Sequence, residues 1–421
     1  MVNQNHSGSQ SSVMGPLLGK LLAYCRHNDW AGYDPYDALN SGLLGKLPLL
    51  DRRIPRIVMT QGLKVSPVNL RSLLRIPRSQ NPKALALFLS SFLILPADLL
   101  VEREDLIKDM IRLISAKRSP GISYWCWGYS FPWQTRKELV PTAAPNLVCT
   151  TFVATALMDA YEETGDSACL QMAVSAAEYI VDKLLWTKGS TASFSYPQSG
   201  LASEIHNANF LAAALLCRTF KHTGDERFLE PALQVARCSV AKQHSDGSWF
   251  YGQAPSQNWI DNFHTGYNLR ALRAIDESRG TTEFEANVRV GFKFYRDHFF
   301  CKGGAVRYFH DRDYPVDIHC VAESIITLLA LKDLDPGNIE MARSIFQWAF
   351  DHMWDDRGYF YYRVQRFCTI RTSYMRWSQA WMLLAMARLF CDTNPQSRDR
   401  LRSRSITSAS RELTAEAEAR G

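Results

Sequence analysis

Several things this chain lacks narrow its chemistry before any motif is read. Its ten cysteines form no C-x-x-C pair, which argues against a disulfide scaffold, a redox pair or a zinc ribbon. Most lie inside apolar helical stretches (Cys149, Cys217, Cys238, Cys391), where a thiol is a small core residue in a reducing compartment. His319 and Cys320 come nearest to a metal pair, but neighbours on one helix diverge by roughly 100°. We therefore expect no metal and no cofactor. Met1–Ser12 is polar, with no charged n-region leading into an apolar h-region, so it does not read as a signal peptide. The strongest apolar run, Ala84–Leu95, is interrupted by serine and is too short at about 12 residues to span a bilayer, so it reads as a buried helix. A cytoplasmic protein without a transmembrane segment is the expectation. The net charge is +6, but Lys and Arg are dispersed. Their clearest cluster, Arg398–Arg404, sits in a Ser/Arg-rich tail, so a nucleic-acid partner is not expected.

The chain is instead rich in aromatics, with 11 Trp, 17 Tyr and 21 Phe. Exposed tryptophan is costly, so many of these belong in the core or on the wall of a cavity. Five polar clusters recur at a spacing of about 57 residues, each leading into an apolar helical run. They are Ala144–Asn146, Glu204–Asn207, Trp259–His264, Pro315–His319 and Arg371–Trp377. Thr164-Gly165-Asp166 and Thr223-Gly224-Asp225 repeat about 59 residues apart, each placing Gly past a helix end and Asp as the next cap. Counting Gly15–Ala97 as a first hairpin, with Asp34 capping a helix at Pro35, and letting the last helix close the ring gives roughly six hairpins. The expected fold is all-α, a closed (α/α)6 toroid over residues 16–392. Disorder is expected over 1–15 and 393–421.

In such a ring every inner helix turns its N-terminus, with free N–H groups, toward one mouth. Asn146, Glu204, His206, Asn207, Asp261, Asn262, His264, Asp317, His319, Arg371, Arg376 and Gln379 should converge there. The plainer reading makes Asn146, Asp261 and Asp317 helix caps and the histidines satisfied core groups. Caps do not, however, require His206, His264 and His319 at three successive helix starts. Asp261 and His264 lie three apart and could pair, setting the imidazole tautomer. Glu323 follows His319 by one turn on the same face. Arg371 and Arg376 offer fixed positive charge for a carboxylate or phosphate. Trp259, Tyr267 and Trp377 supply rings for a ligand. Gln243–Trp249 resembles the Gln-Trp repeat of triterpene cyclases, but the D-x-D-D acid is missing. Asp311–Tyr314 and Asp355–Phe360 read as brace turns.

The strings EIHNANFLAAALL, DGSWFYG, NWIDNFHTGYNLRAL, HDRDYPVDIHC and YMRWSQAWMLLAMA resemble polysaccharide-biosynthesis proteins of bacterial exopolysaccharide clusters, over about residues 20–392. More distantly, Arg376–Trp381 is similar to the closing helix of unsaturated glucuronyl hydrolases and N-acylglucosamine 2-epimerases. The resemblance implies an (α/α)6 toroid, glycan chemistry and a carbohydrate ligand.

Three functions are compatible with these features. The first is a carbohydrate-active enzyme. As a hydrolase it would pair Asp261 with Asp317. As an epimerase or lyase it would move protons through His264 and His319, with His206 nearby and Arg376 holding a uronate carboxylate. The second is a glycan-binding scaffold with the same cavity and no turnover. The third, a terpenoid enzyme, is disfavoured by the missing acid motif.

Overall fold

The computed structural model describes residues 7–43, 51–136 and 138–394, with side chains from Met14 onward. Thirteen α-helices are found among them, and the strands are short, forming four pairs and one three-stranded sheet at the loops. The inner helices are α3 (Pro82–Ile94), α5 (Leu147–Thr164), α7 (His206–Thr223), α9 (Asn262–Arg279), α11 (Ile318–Ala330) and α13 (Trp381–Thr393). Each packs on the next, and α13 returns to α3, so the ring is closed. The outer helices α4 (Arg103–Ala116), α6 (Ser167–Tyr179), α8 (Glu226–Val240), α10 (Glu285–Phe299) and α12 (Asn338–Met353) each pack behind the inner helix that precedes them. This is the (α/α)6 toroid the repeats imply.

The burial pattern explains the two rings. Of the 13 residues of α3, 11 are buried, as are 12 of 13 in α11. A helix that is apolar on nearly every side can only sit inside. The outer helices α8 and α10 alternate apolar and charged faces and bury one stripe. Repeated capping sets the spacing. Gly165, Gly224 and Gly280 end α5, α7 and α9 in the left-handed conformation, and Asp166 and Asp225 cap the outer helices that follow the first two. Close approach between inner helices also restricts side chains. A Cβ on Gly266 would lie 2.7 Å from the Thr327 hydroxyl and 2.9 Å from the Glu323 carboxylate.

The first hairpin differs from the expectation. Helix α1 (Ser7–His27) packs behind α13, so the last inner helix takes its outer partner from the other end of the chain. The start of α1 falls inside the stretch 1–15 expected to be unstructured. Asp34 caps no α-helix; the segment makes a short 3-10 turn, Asp37–Asn40, after which comes α2 (Arg53–Val65). Residues 1–6 and the tail beyond Asn394 lie outside the described residues.

What the Asp34 region does is close the ring. Arg376, in a π-helical turn before α13, donates Nε and Nη2 to the two Asp34 carboxylate oxygens at 2.7 and 2.8 Å, with both residues buried. Met375 N–H also donates to Tyr33 C=O at 3.2 Å. Losing one partner of a buried pair strands the other charge, at a cost of about 3–5 kcal/mol. Urea unfolding should therefore show Asp34→Ala destabilised on that scale, with much of the loss recovered in Asp34→Ala/Arg376→Met. Equal stability of Asp34→Ala and the parent would contradict this role.

Candidate active site

The inner-helix mouth opens on a cavity of about 880 Å³. Beneath it, side chains from alternate inner helices meet in a cluster whose Tyr267 lines the cavity. Phe152 of α5, Tyr267 of α9 and Trp381 of α13 touch in a three-way cluster, with centroids 5.4–5.7 Å apart. His319 of α11 stacks on Trp381 at 4.6 Å. The walls are aromatic, formed by Tyr129, Tyr196, Tyr251, Trp259, Tyr308 and Trp377 among others.

Asp261 and His264 form the densest polar feature. Asp261 caps α9 by accepting His264 N–H at 3.0 Å, and its Oδ2 accepts from Trp259 Nε1 at 3.1 Å and lies 2.7 Å from His264 Nδ1. A carboxylate only accepts, so Nδ1 carries a proton, and it is Nε2 whose lone pair is available in the neutral ring. The imidazole is wedged between the Tyr251 and Phe263 rings, with centroids 4.6 and 4.1 Å away. His264 is the more exposed partner and faces the cavity.

His319 sits on the other side of Phe263, stacked on that ring at 4.6 Å. Its Nε2 is hydrogen-bonded to the Tyr267 hydroxyl at 2.7 Å, and its Nδ1 has no partner among the described residues. Burial holds its pKa well below the ordinary histidine value, helped by the nearby positive charges of Lys83 and Arg376. Burial likewise keeps the Tyr267 phenol protonated well above its usual range. Two imidazoles from adjacent inner helices thus face one cavity in different settings, one on a carboxylate and one neutral on a phenol.

Trp259, Asp261, His264, Tyr267, His319, Asn207, Arg376 and Trp377 all line the cavity, and so does Glu204. Seven residues expected there do not. Asp317 is fully buried against Arg363, which donates Nε and Nη2 to its Oδ2 at 2.9 and 2.6 Å, while Trp377 Nε1 and His319 N–H donate to its Oδ1 at 2.9 Å each. With every lone pair direction taken, it is a positioning group for Trp377 and the start of α11, and cannot act as the second carboxylate of a hydrolase. Glu323 is buried in a two-point pair with Arg270 at 2.9 Å. Asn262 accepts from Tyr295 and Ser324, Gln379 bridges to the Phe360 backbone, and Asn146 caps α5. His206 accepts from the Gln253 amide at 2.8 Å, and burial lowers its pKa to about 4, so it supports Gln253 on the wall. Arg371 is exposed on the Tyr361 ring and also lies outside the cavity. Arg376 does line the cavity, but Asp34 occupies its guanidinium edge, so its charge is already answered.

A buried cavity cation left unanswered among the described residues is Lys83, which sequence reasoning missed. It stands at the start of α3, over the Phe152 ring at 3.8 Å and near the Trp381 and Tyr267 rings at 5.3 and 5.4 Å. Its ammonium has no hydrogen-bond or ion-pair partner among the described residues, and it lines the cavity floor. The signal was present: Asn81-Pro82-Lys83 is a sixth polar cluster leading into an apolar run. Gln243 and Trp249 do form the expected brace. Gln243 bonds Gly247 and Asn287, and Trp249 Nε1 donates to Ser239 C=O at 3.1 Å.

Structures similar to this chain share its fold. A sugar epimerase from a ruminal bacterium superposes with a TM-score of 0.54 at 13% identity, covering 75% of this chain and 90% of its own. Cellobiose 2-epimerase from Bacillus thermoamylovorans gives 0.55 at 13%, covering 75% and 89%. An unsaturated glucuronyl hydrolase variant with dGlcA-Glc-Rha-Glc gives 0.58 at 13%, covering 89% and 94%. No protein-family model and no curated protein sequence matches the chain.

Lys83 generates a pH-dependent prediction. Burial pushes its ammonium down to about 7, with Arg376 adding to the shift. The unfolded chain keeps that proton up to about 10.4. Between these values the unfolded state binds more protons, so stability rises with pH, and the full cost of the buried charge falls below pH 7. Lys83→Met should raise the melting temperature at pH 6, and its advantage over the parent should shrink by pH 9. A variant destabilised at both pH values, or stabilised equally at both, would contradict the unanswered charge.

Proposed function

We propose that the protein is a carbohydrate-active enzyme that moves a proton to and from a sugar carbon, as an epimerase or isomerase does. The observation that carries this is the pair of differently set histidines, His264 on Asp261 and His319 on Tyr267, lining one aromatic-walled cavity. In this reading the sugar lies on the aromatic walls in its open-chain form. His264 Nε2 removes the proton beside the carbonyl, and Asp261 stabilises the imidazolium that forms. The Tyr267–His319 pair polarises the carbonyl oxygen. His319 suits that task because burial keeps it neutral, so it can donate a hydrogen bond without carrying charge into an apolar floor. Rotation of the enediolate intermediate about the adjacent C–C bond then turns its other face to His264, which returns the same proton, regains its neutral imidazole and completes the inversion. Hydrolysis is the weaker reading because Asp317 is committed to Arg363 and Trp377. The fold, shared with sugar epimerases and a glucuronyl hydrolase alike, supports a sugar ligand, and the resemblance to exopolysaccharide-cluster proteins supports a place in surface-glycan metabolism.

The test is proton NMR in deuterated water with a panel of hexoses, N-acetylhexosamines and glucuronate. The parent should exchange one carbon-bound hydrogen or yield a second diastereomer. His264→Gln and His319→Gln should each lower that rate by about 10²–10⁴-fold while circular dichroism is unchanged. Calorimetric binding of a sugar without any exchange would establish the alternative, a glycan-binding protein without turnover.

A further inference from the structure

Helix α2 carries apolar residues on two opposite sides. Leu63 and Thr60 are buried toward the ring, and Ile57, Thr60, Gln61 and Lys64 line the cavity mouth. At 3.6 residues per turn, Ile54, Val58 and Val65 fall together on the side opposite Leu63. They are 72%, 63% and 50% exposed, and the following loop adds Val68 at 62% and Leu73 at 72%. They are five of the twelve large apolar side chains that the described residues leave exposed, gathered in one short stretch of sequence. Charge is concentrated in the same stretch. From Arg52 to Ala97 there is no Asp or Glu, against Arg52, Arg53, Arg56, Lys64, Arg71, Arg75, Arg78 and Lys83. Arg52, Arg53 and Arg75 are exposed.

An outward apolar stripe flanked by unopposed arginines has the composition of an interfacial helix, which lies in the headgroup plane with its apolar side down. We propose that α2 and the loop after it dock on an anionic lipid surface. Ile54, Val58 and Val65 insert at the acyl boundary, and Arg52, Arg53 and Arg75 contact the lipid phosphates. A protein partner would need an acidic, apolar surface of matching shape, whereas an anionic bilayer supplies both features without specific fit. Because α2 also forms part of the cavity wall, docking would place the mouth beside the bilayer, within reach of a glycan carried on a lipid. That consequence rests on the sugar reading above; the docking itself does not, and is tested without any sugar.

The experiment is co-sedimentation of the full chain with vesicles of phosphatidylcholine alone or with about one-third phosphatidylglycerol, in parallel with light scattering of the free protein. Binding should require the anionic lipid and weaken steeply with added salt. Ile54→Asp/Val58→Asp and, separately, Arg52→Glu/Arg53→Glu should each cut binding at least about tenfold, with circular dichroism and cavity chemistry unchanged, since all four side chains are exposed. Absence of binding to anionic vesicles would overturn the proposal. So would binding that survives both double variants, or a dimer in solution that Ile54→Asp/Val58→Asp converts to monomers, which would make a second copy the occupant of this face.

Discussion

Everything in the site depends on six apolar helices being brought to a common axis and having to fill it. A ring of inner helices leaves space at its centre, and here Phe152, Tyr267 and Trp381 close it from three different helices. Those rings turn what would be a channel into a cup with an aromatic floor. On that floor His319 is desolvated and kept neutral, and Lys83 is left without a counterion. The chemistry is therefore set by packing: the same rings that stabilise the toroid establish the dielectric in which its polar groups work.

Ring closure and site geometry are linked through one short segment. The π-helical turn before α13 carries Arg376 to Asp34, Trp377 to Asp317 and Gln379 to the Phe360 backbone. Each of these bonds crosses between repeats. The turn fixes the last inner helix against the N-terminal region and holds the Trp377 ring edge-on to His319 at 4.6 Å. A buried polar network of this kind orients the wall of the cup, Arg376 and Trp377 included.

Much of this could be read from the residues, for physical reasons. Asp261 and His264 are three apart at a helix start, so capping by one places the other's ring within reach, and the pair forms as expected. The repeated Thr-Gly-Asp phrase is a helix stop followed by a cap, and it set the period correctly. What could not be read were partners distant in sequence. Asp317 looks like a free carboxylate until Arg363, 46 residues on, is seen to claim it. Arg376 looks like a ligand clamp until Asp34, 342 residues back, occupies it. Local pattern predicts which end of a helix a polar residue sits on; only the closed ring decides what it faces. Helix α1 shows the same limit, since nothing in its own residues says that its partner lies at the far end of the chain.

The central claim is that a sugar lies in this cup between the two histidines. A crystal structure of the protein soaked with a sugar that it binds in solution tests this most directly. The account predicts the sugar stacked on the aromatic walls, with a carbon-bound hydrogen within reach of His264 Nε2 and an oxygen at the Tyr267–His319 pair. Sugar bound on the outer helices, with the cup left to solvent, would contradict it.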